Sequence, residues 1–228
     1  MPGAELQLRR LVGPKADELR GTAHVLIVCA AISPIYRGTP VRLDFGYLGR
    51  VRFQEVSPEV LQSQGPIVQI SGDDIRSLKE RAERSPRRRA RICAHPGPDD
   101  RTHEMLIVLL RGNLIRPHFH PGKVESFHVM AGLMSVVQFN EDGSILEVVR
   151  MGDYGSGRTF YYRQTRPIHH TLLCESDHVA FHETTQGPFS RDGTTHPAWA
   201  PDENAGDALK IYLDDLRRRT GVEPDPPR

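Results

Sequence analysis

Short apolar runs separated by turns dominate residues 101–190 of the chain. Gly, Pro or Asp interrupts these runs about every 8 to 12 positions, a spacing typical of a β-sandwich or a small barrel. The pattern predicts eight strands, at 104–110, 114–119, 124–130, 133–139, 145–149, 158–163, 169–174 and 178–183. The sequence Glu-Asp-Gly-Ser at 141–144 predicts a tight turn between two of them. A mainly β fold follows.

Two amphipathic helices are predicted on either side of this β region. Ser71 followed by Asp74 has the pattern of a capping box, and apolar residues then recur at helical spacing over 73–85. The same spacing predicts a second helix over 207–219, and Gly221 just beyond it favours a helix end.

These elements divide the chain into four regions. Residues 1–64 are predicted to form a partly irregular N-terminal arm, since prolines punctuate them and no period is sustained. Residues 65–100 form a lead-in that contains a strand near 67–70 and the first helix. Residues 101–190 form the β domain, and residues 191–228 supply the last helix and a tail.

Composition and charge exclude several classes of protein. Thirty Lys and Arg against twenty-nine Asp and Glu give a net charge of +1, which disfavours a general nucleic-acid binder. The apolar run at 23–32 is too short to cross a bilayer, so we expect no membrane partner. The three cysteines have no C-x-x-C spacing, which argues against a disulfide framework. A cytoplasmic protein fits best.

Histidines and a glutamate recur with the spacing of metal ligands. His118 and His120 project from the same face of an extended segment, and after a Pro-Gly turn Glu125 begins the next strand. Either His169 or His170 can supply a third imidazole. A site with three imidazoles and one carboxylate suits a divalent ion of iron, manganese, nickel or zinc and can leave positions open for a substrate.

Strand alternation separates the two adjacent histidines. His169 and His170 must face opposite sides of a strand, so only one of them can lie with the first pair. His170 shares its face with Leu172 and Cys174, which suit a protein interior. We therefore predict His118, His120, Glu125 and His170 as the metal ligands.

Three further residues are candidates for catalysis or substrate binding. Tyr162 beside Arg163 suits a pocket for a sugar or an anion, although ordinary strand packing is the alternative. His182 flanks a predicted strand and is either a strand residue or a substrate contact. The arginines between 84 and 91 are either a phosphate clamp or a solvated helix exit, and we favour the solvated exit.

The residues of the predicted site resemble a known motif. Gly112, His118, His120, Glu125 and Gly132 match every fixed position of the first cupin motif. The resemblance implies the cupin double-stranded β-helix, a small antiparallel barrel, with one metal ion at its mouth. It also implies a small polar substrate.

A narrower resemblance covers residues 65–205. There the chain is similar to the WbuC-type cupin metalloproteins, through the segments SPRRRARICAH, HEMLIV, PHFHPGKVESFHVMAG and VAFHETTQGPF. The second cupin motif, P-x-G-x-x-H, departs here, because Pro167 precedes His170 with no glycine between them. Members of that family are encoded beside genes for surface polysaccharide synthesis, which implies a sugar or nucleotide-sugar substrate.

Three functions are compatible with these features. The first is an isomerase or epimerase in which the metal polarises a carbonyl or hydroxyl group. The second is a non-haem iron dioxygenase. The third is a non-catalytic, metal-stabilised sugar-binding protein, and a homodimer is compatible with each of them.

Overall fold

A computed structural model describes residues 52–205 and 207–223, all within one unit that spans Leu48–Arg228. The expectations for residues 1–51, including the apolar run at 23–32, lie outside the described residues. The strands are β1 Arg52–Ser57, β2 Val60–Gln64, β3 Arg89–Cys93, β4 Thr102–Leu110, β5 Glu125–Ala131, β6 Leu133–Phe139, β7 Ile145–Gly152, β8 Tyr161–Gln164, β9 His170–Cys174 and β10 His178–Gln186. The helices are α1 Gly72–Arg84 and α2 Ala208–Thr220.

The strands form two sheets. The larger sheet has the order β1-β2-β3-β4-β10-β5-β8, and the smaller has the order β7-β6-β9. All pairs are antiparallel except β2 with β3. The chain passes from β5 in the first sheet to β6 in the second at Gly132. The φ of Gly132 is +82°, and a Cβ there would collide with the His178 carbonyl oxygen, so only glycine fits this crossing.

Residues that alternate along the strands face two different layers. One set meets between the sheets in an apolar core that includes Leu109, Phe127, Val136, Leu172 and Phe181. Their chain neighbours point the other way, towards the two helices. This alternation is what lets one strand contribute to two cores.

Each helix covers the outer face of one sheet. Leu78 and Ala82 of α1 pack on Val108 and other outward residues of the larger sheet. Leu213 and Leu216 of α2 pack on the outer face of the smaller sheet. The core is therefore three layers of side chains, one between the sheets and one beneath each helix.

The predicted mainly β fold with flanking helices is confirmed. It is a double-stranded β-helix in which two sheets face one another, and continuous strand pairing does not close it into a barrel in the described part of the chain. Both helices lie within one residue of their predicted bounds, and Ser71 and Asp74 form the expected capping box. No helix among the described residues is both long and apolar enough to span a bilayer.

Several predicted local structures are wrong. Residues 67–70 and 114–119 contain no named strand, although His118 and Phe119 make isolated bridges. Conversely, residues 52–64 of the expected arm form the hairpin β1-β2, and β3 was not predicted. The hairpin is stabilised by pairing with β3 and by packing of Phe53 and Leu61 near α1, which are contacts between distant segments.

Candidate functional site

A cavity of about 400 Å³ opens between the inner faces of the two sheets. Apolar side chains line its depth, among them Leu109, Phe127 and Leu172. Its polar lining consists of four histidines, four glutamates, four arginines and one threonine among the described residues: His118, His120, His170, His196, Glu59, Glu125, Glu183, Glu203, Arg87, Arg89, Arg91, Arg116 and Thr194. An apolar cleft with convergent polar groups is the usual form of a small-molecule site.

Backbone pairing places two of the predicted ligands side by side. The amide of His118 donates to the His170 carbonyl at 3.0 Å, and the amide of His170 donates to the His118 carbonyl at 2.9 Å. Their imidazole centroids consequently lie 4.8 Å apart. His120 is two residues further along and projects from the same face, with its ring 5.1 Å from that of His118.

A backbone carbonyl orients each of these three imidazoles. The Nδ1 atom lies 2.8 Å from the Arg116 oxygen in His118, and 2.8 Å from the Gly193 oxygen in His120. In His170 it lies 3.1 Å from the Ile168 oxygen. Since a carbonyl can only accept, these contacts favour the tautomer in which Nδ1 carries the proton and Nε2 keeps its lone pair.

Glu125 lies between two of these Nε2 atoms. Its Oε1 is 3.4 Å from His120 Nε2, and its Oε2 is 3.5 Å from His170 Nε2. Two ligands bound about 2.1 Å from one tetrahedral ion are separated by about 3.4 Å, so these spacings are compatible with a shared ion. As the side chains stand, no group of three or more His, Cys, Asp or Glu among the described residues is arranged to hold a metal ion.

Burial changes the proton affinity of the clustered groups. Burial, followed by the charge of His170, holds the pKa of His118 well below its ordinary value. Burial lowers the pKa of His170 to about 4 and raises that of Glu125 to about 7. The environment therefore favours neutral imidazoles at His118 and His170, the form that binds metals.

His169 lies on the other side of β9 from this cluster. Its ring packs edge-on against Phe119 at 4.7 Å and lies 5.9 Å from Trp199. Strand alternation thus separates it from His170, which is fully buried beside the cavity.

The three catalytic candidates have different surroundings. Tyr162 faces inward, where its ring stacks on Phe127 at 5.6 Å, and it lies next to the cavity lining rather than in it. Arg163 is exposed on the outer face of the large sheet, because strand alternation turns it away from Tyr162. His182 also faces outward, 3.9 Å from Glu104 and opposite His128. The structure does not bring Arg163 or His182 to the cavity.

Sequence reasoning missed Glu183 and His196, two of the titratable residues that line the cavity. Glu183 follows His182 on β10 and therefore faces inward; burial, followed by the charge of Glu125, raises its pKa to about 7. His196 lies in a loop, with its Nδ1 3.1 Å from the Pro117 carbonyl and its ring 6.0 Å from that of His118. Alternation from the outward His182 could have indicated Glu183, whereas no local pattern marks His196.

The family model of a domain of unknown function, DUF6016, matches residues 70–151. No curated protein sequence matches the chain. The match covers the first three predicted ligands and ends before His170.

Several solved structures are similar to the chain in fold. A structural-genomics protein from Shewanella oneidensis is 12% identical over 58% of this chain and 81% of its own, with a TM-score of 0.40. An oxalate decarboxylase variant from B. subtilis is 16% identical over 59% of this chain and 32% of its own, with a TM-score of 0.38. A cupin domain from Schizosaccharomyces pombe is 12% identical over 43% and 64%, with a TM-score of 0.34.

The fold is that of the cupins. The two facing sheets and their strand order define this fold, whereas the similarities to solved structures are distant. The cupin fold hosts many reactions, so the chemistry must be argued from the cavity.

Proposed function

We propose that the protein binds one divalent metal ion through His118, His120, Glu125 and His170 and uses it on a small, polar, sugar-like molecule in the cavity. The observation that carries the proposal is the shared orientation of the three imidazoles. Each has its Nδ1 proton directed to a backbone carbonyl, which leaves its Nε2 lone pair available. Metal-binding histidines in proteins usually have such a partner.

The donor set also fits the proposed ion chemically. Three imidazoles and one carboxylate are ligands that iron, manganese, nickel and zinc all accept. When bound, such an ion would act as a Lewis acid that polarises a carbonyl or hydroxyl oxygen of the substrate. The apolar depth of the cavity limits water around that oxygen.

Glu183 is the residue that we expect to move a proton in this cavity. Its side chain lines the cavity and makes no hydrogen bond or ion pair within 4.0 Å to another described residue. A carboxyl group with a pKa of about 7 can both accept and donate a proton near neutral pH. These properties support an isomerase or epimerase, in which one group removes a proton and returns it.

The resemblance to WbuC-type cupins is part of this proposal and supplies its link to surface polysaccharide. Two other functions remain compatible with the same donor set, a dioxygenase and a non-catalytic sugar-binding protein. Oxygen consumption with the iron-loaded protein distinguishes the first of these. Saturable sugar binding without turnover distinguishes the second.

The adjacent histidines on β9 provide the test of the metal site. We expect His170→Ala to lower metal affinity by more than the 10- to 100-fold typical of residues that only support a ligand. His169→Ala should retain the metal, because His169 packs against Phe119 and Trp199 on the opposite face. The measurement is bound metal per chain after dialysis, by plasma mass spectrometry.

His169→Ala is a matched control for His170→Ala, since each variant removes one imidazole and the two positions are adjacent. Thermal unfolding of both variants separates loss of metal from loss of fold. Metal loss in His169→Ala alone, or full retention in both variants, would contradict the proposed ligand set.

A further inference from the structure

We propose that the cavity binds an oxyanion group of its ligand, a carboxylate or a phosphate, through Arg89 and Arg91. These two arginines lie on β3 and line the same cavity as the histidine cluster. Identification of this anionic ligand as the substrate rests on the proposed function, whereas the binding itself does not.

The side chains of β3 have an unusual distribution. Ala90 and Ile92, which alternate with the arginines, pack under α1 on the outer face of the sheet. Arg89 and Arg91 are therefore on the inner face, where they pair in register with Leu109 and Ile107 of β4. Inward positions of a sandwich are normally apolar, so two arginines there indicate a ligand.

Two of the four arginines in the cavity are already neutralised by carboxylates. Arg87 pairs with Glu59 and with Glu203, the latter at 3.2 Å. Arg116 pairs with Asp202 at 2.8 Å. Each of these two guanidinium groups therefore has its positive charge balanced by at least one carboxylate.

Arg89 differs, because its contacts leave donors available. Its Nε lies 3.6 Å from Glu59 Oε2, and its terminal nitrogens have no hydrogen-bond partner among the described residues. Burial, and then the charge of Arg87, lower its pKa. An oxyanion would relieve both effects by supplying hydrogen bonds and a negative charge.

Arg91 provides a second cationic group at the more exposed side of the cavity. The lining also holds the four carboxylates of Glu59, Glu125, Glu183 and Glu203, against the four guanidinium groups. A metal ion on Glu125 would neutralise one of them, so the occupied cavity would carry excess positive charge. Guanidinium groups bind carboxylates and phosphates through paired N–H donors. The spacing of these donors matches two oxygens of a planar carboxylate or a tetrahedral phosphate.

Three probes with the same kind of sugar ring test the inference. Glucuronate carries a carboxylate, glucose 1-phosphate carries a phosphate, and glucose is neutral. We expect at least one acidic sugar to bind the full-length protein at least 10-fold more tightly than glucose in calorimetric titrations at fixed ionic strength. Which acidic sugar binds more tightly identifies the oxyanion.

Substitution separates the two arginines from general charge effects. Arg89→Gln and Arg91→Gln should each weaken binding of the tighter acidic sugar by about 10-fold or more, because a charge-assisted pair is lost. Arg84→Gln is the matched control. Arg84 is exposed in the last turn of α1 and is not part of the cavity lining, so its variant should bind as the wild type does.

Metal analysis of the same protein separates a failure of the oxyanion site from a failure of the proposed metal site. Acidic-sugar binding that persists after metal removal and weakens in both arginine variants supports the oxyanion site, whatever the metal content. Equal affinity for glucose and the acidic sugars would overturn the inference. So would the absence of acidic-sugar binding at millimolar concentration, or wild-type affinity in both arginine variants.

Discussion

Tyr162 connects the strands around the candidate metal site through its hydroxyl group. The hydroxyl accepts a hydrogen bond from Gln138 Nε2 at 2.6 Å and donates one to Gln164 Oε1 at 2.7 Å. The Nε2 atom of Gln164 lies 3.1 Å from the Ile168 carbonyl and 3.3 Å from His170 Nδ1. One phenol therefore helps to fix the amide that lies against a predicted ligand.

Removal of this hydroxyl should destabilise the protein without removing its aromatic ring. We expect Tyr162→Phe to lower the free energy of unfolding by about 1–3 kcal/mol, because the buried amides of Gln138 and Gln164 lose a partner. The measurement is urea unfolding followed by circular dichroism.

Tyr161→Phe provides the control in the same strand. Tyr161 is 49% exposed on the outer face, and its hydroxyl makes no hydrogen bond to the described residues, so we expect less than about 0.5 kcal/mol. Equal destabilisation by the two changes would show that the network does not stabilise the site.

Strands with simple alternation could be predicted from the sequence, and strands that depend on distant partners could not. β6 has its predicted bounds because its apolar residues end at glycine or turn residues on both sides. β3 was missed because its inward residues are arginines, which resemble a solvated segment. The segment 114–119 was predicted as a strand, but its chain runs between His170 and Thr195 with only isolated bridges.

The same distinction applies to the candidate site. His118, His120 and Glu125 are close in sequence, so strand alternation and one turn were enough to group them. Glu183 and His196 reach the cavity only through the pairing of distant segments. The carbonyl groups that orient the imidazoles belong to loops and to the short 3₁₀ helix Arg191–Gly193, which no periodic pattern in the sequence predicts.

The hairpin β1-β2 is an element whose contribution can be measured by two truncations. Deletion of residues 1–64 removes this hairpin, and deletion of residues 1–51 leaves it in place. We expect the melting temperature of the longer deletion to lie roughly 5 to 15 °C below that of the shorter one. Burial of Phe53 and Leu61 together should stabilise the fold by about 2–4 kcal/mol.

The longer deletion also removes Glu59, which accepts hydrogen bonds from Ser85 and Arg87 and pairs with Arg89. The loss of these contacts adds to the expected destabilisation. Identical melting temperatures for the two truncations would show that β1-β2 is not part of the stabilising core.

Polar contacts between segments that are distant in sequence join the smaller sheet to α2. Arg217 of α2 is fully buried and donates to the Asn113 carbonyl at 2.6 Å, while the Asn113 side chain bonds to the backbone of β9. Glu175 at the end of β9 pairs with Arg150 and Arg158, each at 2.8 Å. Arg150 also donates to the Thr220 carbonyl at the end of α2.

Glu175 should make the stability of this assembly depend on pH. Although burial alone would raise it, hydrogen bonds from Ser135, Arg158 and Arg150 hold the pKa of Glu175 below its ordinary value of 4.5. A carboxyl group whose pKa is lowered in the folded state stabilises that state above its unfolded pKa. The stabilisation is lost as the pH falls through the folded pKa.

Glu175→Gln should therefore lower the melting temperature at pH 7 by about 2–4 °C, which corresponds to about 1 kcal/mol for a partly exposed ion pair. The difference from the wild type should shrink below pH 4.5 and be lost as the pH falls through the lowered folded-state pKa of Glu175. Asp177→Asn is the control, because Asp177 is 93% exposed and lies 3.9 Å from Arg111. A melting difference between Glu175→Gln and the wild type that is the same at pH 7 and pH 3 would show that Glu175 stabilises the molecule through packing and not through its charge.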